Sequence, residues 1–393
     1  TTEILKYNNW KTKIIDLNGK SLYPGFIEPH CHPIATTMID QVVNISGYHF
    51  QSRKEILTAI KNEVNNNNEE DWLLVFGWDP VMVDDLTNPS LAELDSISPS
   101  RPMLILTQMM HHGFINSTGY KAANITIDSP SLKGSGKFLK DEEGKLNGIV
   151  YEVSALQYIL GQLPKPPISA VQLLLNIQYS KYAKAGFTSI GVLGPINRVG
   201  NPLTLMNELA YEKNMPIRTF IYGLENQIDE LKSIELIEND KFKIKGVKLY
   251  LDGSPFTGGA AFKDPYQNTE ITLNRIGLNS NHYGIPNYTI SEIYPIIKKY
   301  HQDGNQIAIH VQGEKAIDIA LTAFEKVLQL HPKINHRHRL EHNALITNEQ
   351  IQKAVDLGIT LSFFIDHIHY YGDKLDQIVG IENTKRYMPI GTA

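Results

Sequence analysis

The stretch that most restricts how this chain can fold is YPGFIEPHCHP, in which Pro24 and Gly25 open an apolar run and His30 and His32 stand two apart near its end. Side chains alternate between the two faces of a strand, so both imidazoles face one side and Cys31 faces the other. Two ring nitrogens on one face can reach a single metal ion, and Cys31, turned away, is left out of that set. By itself the HxH spacing also describes two unrelated histidines on a strand.

The pattern around it repeats. A short apolar strand ends in polar residues or glycine and is followed by a longer stretch of helical spacing, the βα rhythm of a parallel sheet. The spacing predicts seven strands, at Leu22–His32, Gly186–Leu193, Pro216–Gly223, Gly246–Asp252, Gln306–Gly313, His338–Asn343 and Ile359–Asp366. Val171–Ala185, Ser291–Gln302 and Glu314–Leu330 read as helices, the last with apolar residues at helical period and charges between them. Chemistry-bearing residues gather at strand ends: His30 and His32 on the first, Asp252 on the fourth, His310 on the fifth and His342 on the sixth. In a (β/α)8 barrel these carboxyl ends meet at one mouth, whereas an open doubly wound sheet would not bring so many together. The expected fold is therefore α/β, a TIM barrel.

Residues 45–165 break the rhythm and are expected to form an insertion subdomain over the barrel mouth. It follows a first strand and loop at residues 21–44, and the rest of the barrel runs over residues 166–393. Within the insertion the polar tract Asn65–Glu70 reads as a solvated loop, and a Gly/Lys-rich stretch, Lys133–Gly148, lies further on. Trp72, Trp78 and Tyr151 are candidates for a pocket wall or for the insertion's own core.

Composition narrows the partners. A net charge of -5 and a pI near 6.3 provide no broad basic field, which argues against nucleic acid or an anionic membrane and for a small molecule. A single cysteine allows neither an intrachain disulfide nor a cysteine-rich zinc site. No apolar run approaches the roughly 20 residues that span a bilayer, the best, Ile244–Leu251, being interrupted by Lys and Gly. The expectation is a soluble, cytoplasmic protein, with the targeting signal and a homodimer both left open.

The chain resembles the amidohydrolase superfamily, and within it the amidohydrolase-3 (YtcJ-like) family. The resemblance is carried by PGFIEPHCHP, LDSISPSRPMLI, HHGFINS, GIVYEVSA, AGFTSI, VKLYLDGSPFTGGAAF, HVQGEKAIDIALTAFE and LEHNALI, which run in family order through nearly the whole chain. It implies a barrel of the metal-dependent hydrolase type with one or two divalent ions, zinc suiting imidazole. His30 and His32 would bind one ion and His310 and His342 the second. Lys248, in GVKLYLDG, would bridge them after carboxylation of its amine. His310, His342 and Lys248 are thus the implied catalytic set, and His112, Glu152 and Asp252 the implied substrate-pocket residues. The implied reaction is hydrolysis of a C–N bond of amide, formamide, cyclic amide or carbamate type by a metal-activated hydroxide.

Two departures qualify this. The chain stops at IGTA, where the family continues into an eighth strand carrying an aspartate; Asp366, followed by His367 and His369, is the nearest substitute. About twenty residues precede the first strand in place of a β-sandwich, so residues 1–20 are expected to be a remnant of one and the chain a fragment of a longer protein. The phrase LSFFIDHIHYYGD is similar to a subgroup labelled as exoenzyme regulatory proteins, which keeps open an alternative: a catalytically degenerate barrel acting in regulation or binding. A carboxylate-based glycosidase would need a facing acid pair, and the strand ends offer histidines instead.

Overall fold

The computed structural model describes residues 2–66, 71–129, 132, 134–195, 201–212, 215–231 and 239–393. In chain order its strands are β1 (Phe26–Cys31), β2 (Val43–Asn44), β3 (Leu73–Trp78), β4 (Met103–Thr107), β5 (His112–Ile115), β6 (Lys137–Lys140), β7 (Leu146–Tyr151), β8 (Phe187–Leu193), β9 (Arg218–Gly223), β10 (Phe242–Tyr250), β11 (Gln306–Val311), β12 (Arg339–His342) and β13 (Thr360–Phe363).

Seven of them, in the order β1-β8-β9-β10-β11-β12-β13, form one all-parallel sheet. Each neighbour in space is the next barrel strand in sequence, the arrangement of a barrel curling round an axis. The curl is nearly complete, and among the described residues no pairing joins β13 to β1. Period two decides which side chains enter the barrel. On β10, Val247, Leu249 and the following Leu251 belong to the outer core while Lys248 turns inward; on β11, Ile307 and Ile309 pack outward and His310 inward. The outer layer is filled by helices Ile168–Lys184, Ile290–Gln302, Glu314–Leu330 and Asn348–Asp356, whose apolar faces supply Leu175, Ile297, Phe324 and Ile351. The last of these helices starts at a reciprocal cap, in which Thr347 Oγ1 accepts from Gln350 N and Gln350 Oε1 accepts from Thr347 N.

A second sheet, ordered β2-β3-β4-β5-β7-β6, is mixed: parallel from β2 to β4 and antiparallel from β4 through β5 and β7 to β6. Both of its faces are buried. Val75, Ile105 and Phe114 meet Ile56 and Ile60 on one side, and Leu104, Leu106 and Val150 meet Leu156 and Ile159 on the other.

Several boundaries move. The seventh strand ends at Phe363, and a helix, Asp366–Tyr371, has begun where the sequence suggested strand. Asn65 and Asn66 close the helix Arg53–Asn66 and are not loop; residues 67–70 of that tract, and Lys133, lie outside the described residues. Residues 2–25 contain a helix, Thr2–Leu5, and no strand. Trp78 is fully buried in the core of the second sheet and Trp72 packs on that sheet's other face, so neither walls the central cavity. No helix among the described residues is long and apolar enough to cross a membrane.

Candidate functional site

The mouth of the barrel gathers histidines. The rings of His30 and His32 lie with centroids 5.2 Å apart, and Cys31 turns to the other face, against the outer core. His342 packs at 4.9 Å from His30 and at 4.4 Å from His310. Strand period alone would send His342 outward beside Leu340, because Glu341 already faces in. The backbone breaks that period: His342 has φ +76 and Asn343 φ +54, a left-handed kink that non-glycine residues adopt at a cost. Asn343 braces the kink, its amide nitrogen donating to the carbonyls of Leu340 (2.9 Å) and Ser362 (3.1 Å).

Lys248 shares this chamber. It is 1% exposed, and its Nζ is buried with no hydrogen-bond partner. Burial pushes the amine down to about 7, so it loses its proton far more readily than an ordinary lysine. The same loss of solvent lowers all four histidines, His32 to about 4, and the nearby Lys248 charge depresses each of them further. Neutral imidazole is the form that binds a metal.

The donor chemistry can be tested against a cation. With zinc–nitrogen bonds of about 2.0–2.1 Å and near-tetrahedral directions, two imidazoles on one ion place their ring centres about 5 Å apart. The pairs His30/His32 and His310/His342 fall close to that spacing. No three His, Cys, Asp or Glu side chains among the described residues are disposed to hold an ion as they stand. The spacing of the two pairs is compatible with a cation on each, and the buried amine of Lys248 borders the same cavity.

A buried carboxylate orients the first histidine. His30 Nδ1 donates to Glu341 Oε2 at 2.8 Å, which leaves Nε2 as the ring's remaining donor atom. Glu341 is fully buried and is gripped by Arg339 through both Nε and Nη2, and Arg339 Nη2 also donates to the carbonyl of Pro29. These contacts tie β12 to β1 by side chains.

The second sheet adds a further pair. The start of β5 and the end of β7 lie side by side, His112 opposite Tyr151, which brings their flanking residues His111 and Glu152 together. His111 Nδ1 lies 2.9 Å from Glu152 Oε2, and the His111 ring packs 4.8 Å from that of His310. His112, the member of the doublet singled out from the sequence, faces Tyr151 at 4.4 Å and does not line the cavity; His111 does. Adjacent residues on a strand face opposite ways, and the HH doublet carries no signal of which one faces the mouth. Glu152 has φ +67, and its carboxylate sits in a recess left by two glycines: a Cβ on Gly253 or Gly259 would come within 2.1 or 2.5 Å of its Oε1. The glycines of LDGS and TGGA are there for this close approach.

Asp252 is placed differently from a pocket residue. It is fully buried and holds the loops beneath the mouth, its carboxylate accepting from the backbone nitrogens of Ala261 (3.0 Å), Gln312 (2.9 Å) and Gly313 (2.8 Å). Burial pushes its carboxyl up to about 8 against those three donors. Asp366 borders the cavity but is exposed, while His367 is buried with Nδ1 3.1 Å from the Tyr387 hydroxyl; His369 is not on the cavity wall.

Two cavities meet at Lys248 and Tyr250. The larger, of about 810 Å³, carries all four histidines and His111; the smaller, of about 270 Å³, is lined by Glu152, Ser154 and Asn287 among others.

A family model described as Amidohydrolase family matches residues 13–393. The chain is 26% identical over 363 residues to the amidohydrolase-family protein YtcJ of Bacillus subtilis, covering 91% of this chain and 64% of YtcJ. It is 24% identical over 365 residues to an N-substituted formamide deformylase of Arthrobacter pascens, covering 89% of this chain and 64% of that enzyme. Identity is 24% over 356 residues to the exoenzymes regulatory protein AepA of Pectobacterium carotovorum, covering 87% and 72% of the two chains. Among solved structures, an uncharacterized metal-dependent hydrolase of Pyrococcus furiosus superposes with a TM-score of 0.67 at 25% identity, over all of this chain and 74% of its own. The chain thus spans a little under two thirds of YtcJ and of the deformylase.

Proposed function

The chain belongs to the amidohydrolase family, and from that premise we propose that it is a metal-dependent hydrolase of carbon–nitrogen bonds other than peptide bonds. The observation that carries this reading is the gathering of four neutral imidazoles round the unpartnered amine of Lys248. His30 and His32 would hold one divalent cation, and His310 and His342 a second, with zinc the metal that suits these donors. Lys248, carboxylated, would complete both sets; its low proton affinity leaves the free amine that reaction with carbon dioxide requires. Bound there, the cation supplies Lewis acidity and lowers the pKa of water from about 15.7 towards 7.

The chain's own residues do the rest. Glu341 and Arg339 fix the ring of His30; Glu152 fixes the ring of His111 against His310; Asp252 holds the loop that carries Gln312. Glu152, on the wall of the smaller cavity, is a substrate-side group, and the neutral His112 ring lies behind it, Nε2 3.9 Å from its Oε1. Amides, formamides, cyclic amides and carbamates are the candidate substrates, the deformylase relative favouring N-substituted formamides. We further infer that residues 45–165 are an insertion over the mouth, between residues 21–44 and the remaining barrel at residues 166–393, and that residues 1–20, which form no strand within residues 2–20, are a remnant of a β-sandwich.

Metal analysis joined to an amide-hydrolysis panel tests the reading. The full chain is expected to carry a divalent metal near stoichiometrically and to lose hydrolysis on His30→Ala. Undiminished hydrolysis after complete metal removal would refute it. A second reading, a barrel that binds and regulates without turnover, draws on the absence of a ready three-ligand group among the described residues and on the likeness to AepA. A metal-loaded chain that binds amides and hydrolyses none would favour it.

A further inference from the structure

The stretch FFIDHIHYYGD runs from the end of β13 through the helix Asp366–Tyr371, and the hydrolase reading gives it no task. Phe364, Ile365, Asp366, His367, Tyr370 and Tyr371 all line the larger cavity. Asp366, Ile368, His369 and Tyr370 are at the same time exposed to solvent. The wall is here one short helix thick, with the cavity on one side and water on the other. Isolated helices shorter than about 12–15 residues are marginal in water, so the position of this one, at 6 residues, is set by what grips it.

His367 and Tyr371, one turn apart, are the two side chains it buries. On the barrel side both are held by aromatic neighbours: the Tyr371 ring stacks on Phe256 at 3.9 Å, and His367 Nδ1 lies 3.1 Å from the Tyr387 hydroxyl. The second sheet grips the same segment from the other side. The Tyr371 hydroxyl donates to Asp79 Oδ2 at 2.6 Å, and Asp79, buried just after β3, is itself fixed by Val81 N (2.9 Å) and Met82 N (3.1 Å) on its Oδ1. Tyr370 meets Tyr48 edge to face at 4.9 Å, and Lys374 pairs with Asp84 at 3.1 Å. The last two ties are exposed and weak. Stacked rings tolerate sliding, whereas a buried bond to a carboxylate is strong and holds one geometry, so Tyr371 and Asp79 make the principal fastening.

We propose that residues 364–374 are a lid on the larger cavity, latched shut by the hydrogen bond from Tyr371 to Asp79, so that the second sheet governs entry to the histidine chamber. Opening breaks that one bond, slides the Tyr371 ring off Phe256 and parts Tyr370 from Tyr48. Phe364 travels with the lid; its ring packs 6.1 Å from that of His342, so opening uncovers the chamber at His342. Closure excludes water from the cavity and makes ligand exchange wait for the latch. The lid follows from the fastening alone, and only the zinc measurement below rests on the hydrolase reading.

Hydrogen exchange read by mass spectrometry on the full chain tests it. Tyr371→Phe keeps the ring stack and removes the latch, and is expected to speed exchange in residues 364–374 by at least about tenfold while β10 and β11 keep the parent rate. Asp79→Asn is the rescuing variant, since its amide donates to the Tyr371 hydroxyl, and exchange should return towards the parent level. Tyr48→Ala, at an exposed position, loosens the same segment and serves if Tyr371→Phe does not fold. In the zinc-loaded chain, Tyr371→Phe should hasten zinc loss to excess EDTA and leave the equilibrium zinc affinity unchanged. Unaltered exchange of residues 364–374 in both Tyr371→Phe and Tyr48→Ala, or a rise shared equally by β10 and β11, would overturn the lid, as would a zinc affinity that falls in step with the rate. A chain that takes up no zinc sinks the hydrolase reading, and the exchange result then decides the lid by itself.

Discussion

The Nδ1 of His30 and the carboxylate of Glu341 meet at 2.8 Å although 311 residues separate them along the chain. The bond links the first barrel strand to the sixth and fixes the face that the His30 ring presents to the cavity. Partners of this kind change metal affinity by about 10–100-fold when removed. Glu341→Gln is therefore expected to weaken metal binding by that factor, measured by chelator competition. The same change leaves Arg339, 11% exposed, without its carboxylate, and a broken buried pair costs about 3–5 kcal/mol. Adding Arg339→Met should restore thermal stability and leave metal affinity low.

Lys248 is expected to cost the metal-free protein stability. Its folded pKa of about 7 lies below the ordinary value of 10.5, so between those limits the unfolded chain binds one more proton. The penalty is complete below pH 7 and disappears as pH rises through 10.5. Lys248→Met should therefore stabilise the metal-free chain at pH 7 by about 1–3 kcal/mol, on the scale of a buried polar group with no partner. In the metal-loaded protein the same variant should lose the bound ion, and intact mass of the parent should rise by one carbon dioxide in bicarbonate. Full metal occupancy in Lys248→Met would remove the lysine from the site.

Glu152 holds a backbone conformation that glycine adopts freely, and such strain costs on the order of 1–3 kcal/mol. Glu152→Gly should unfold at a higher temperature than Glu152→Ala, since only the first relieves the strain. Both lose the His111 partner, so both should lose turnover to a similar degree. Equal stability of the two variants would contradict the strain.

At the other end of the barrel, acid sensitivity is expected from His338. Its Nδ1 accepts from Ile307 N (3.0 Å) and its Nε2 faces His301 Nδ1 (2.8 Å), a geometry that only the neutral ring satisfies. His336 stacks on it, Phe324 covers its other side, and Lys333 adds positive charge nearby. Burial and these neighbours hold its pKa down at about 2, against 6.5 when unfolded. The unfolded state then binds the extra proton between those limits, so stability falls as pH drops below about 6.5, by up to about 1.4 kcal/mol per pH unit. His338→Asn should be less stable at pH 7 and show a shallower acid slope in urea titrations.

Much of the barrel was readable in advance because strand period two and the βα rhythm are local properties. They place His30 and His32 on one face, Cys31 on the other, and His310 at the mouth, whereas Lys248 came only from the family resemblance. Local spacing also misdirects. It points His342 outward and cannot choose between His111 and His112, and the pocket role that the resemblance implied for Asp252 meets a carboxylate spent on three backbone nitrogens. Those outcomes turn on a left-handed kink, on two strand ends meeting, and on loops folding over a carboxylate.

By itself the amino-acid order determined the alternation of faces, the succession of strands and helices, and which residue types arrive at the mouth. The tertiary structure alone decided which of them touch: Glu341 with His30, Glu152 with His111, and Asp252 with the backbone of Gln312 and Gly313. Alternation is set by the geometry of neighbouring peptide units, whereas a contact between residues far apart in the chain exists only once the intervening elements have packed.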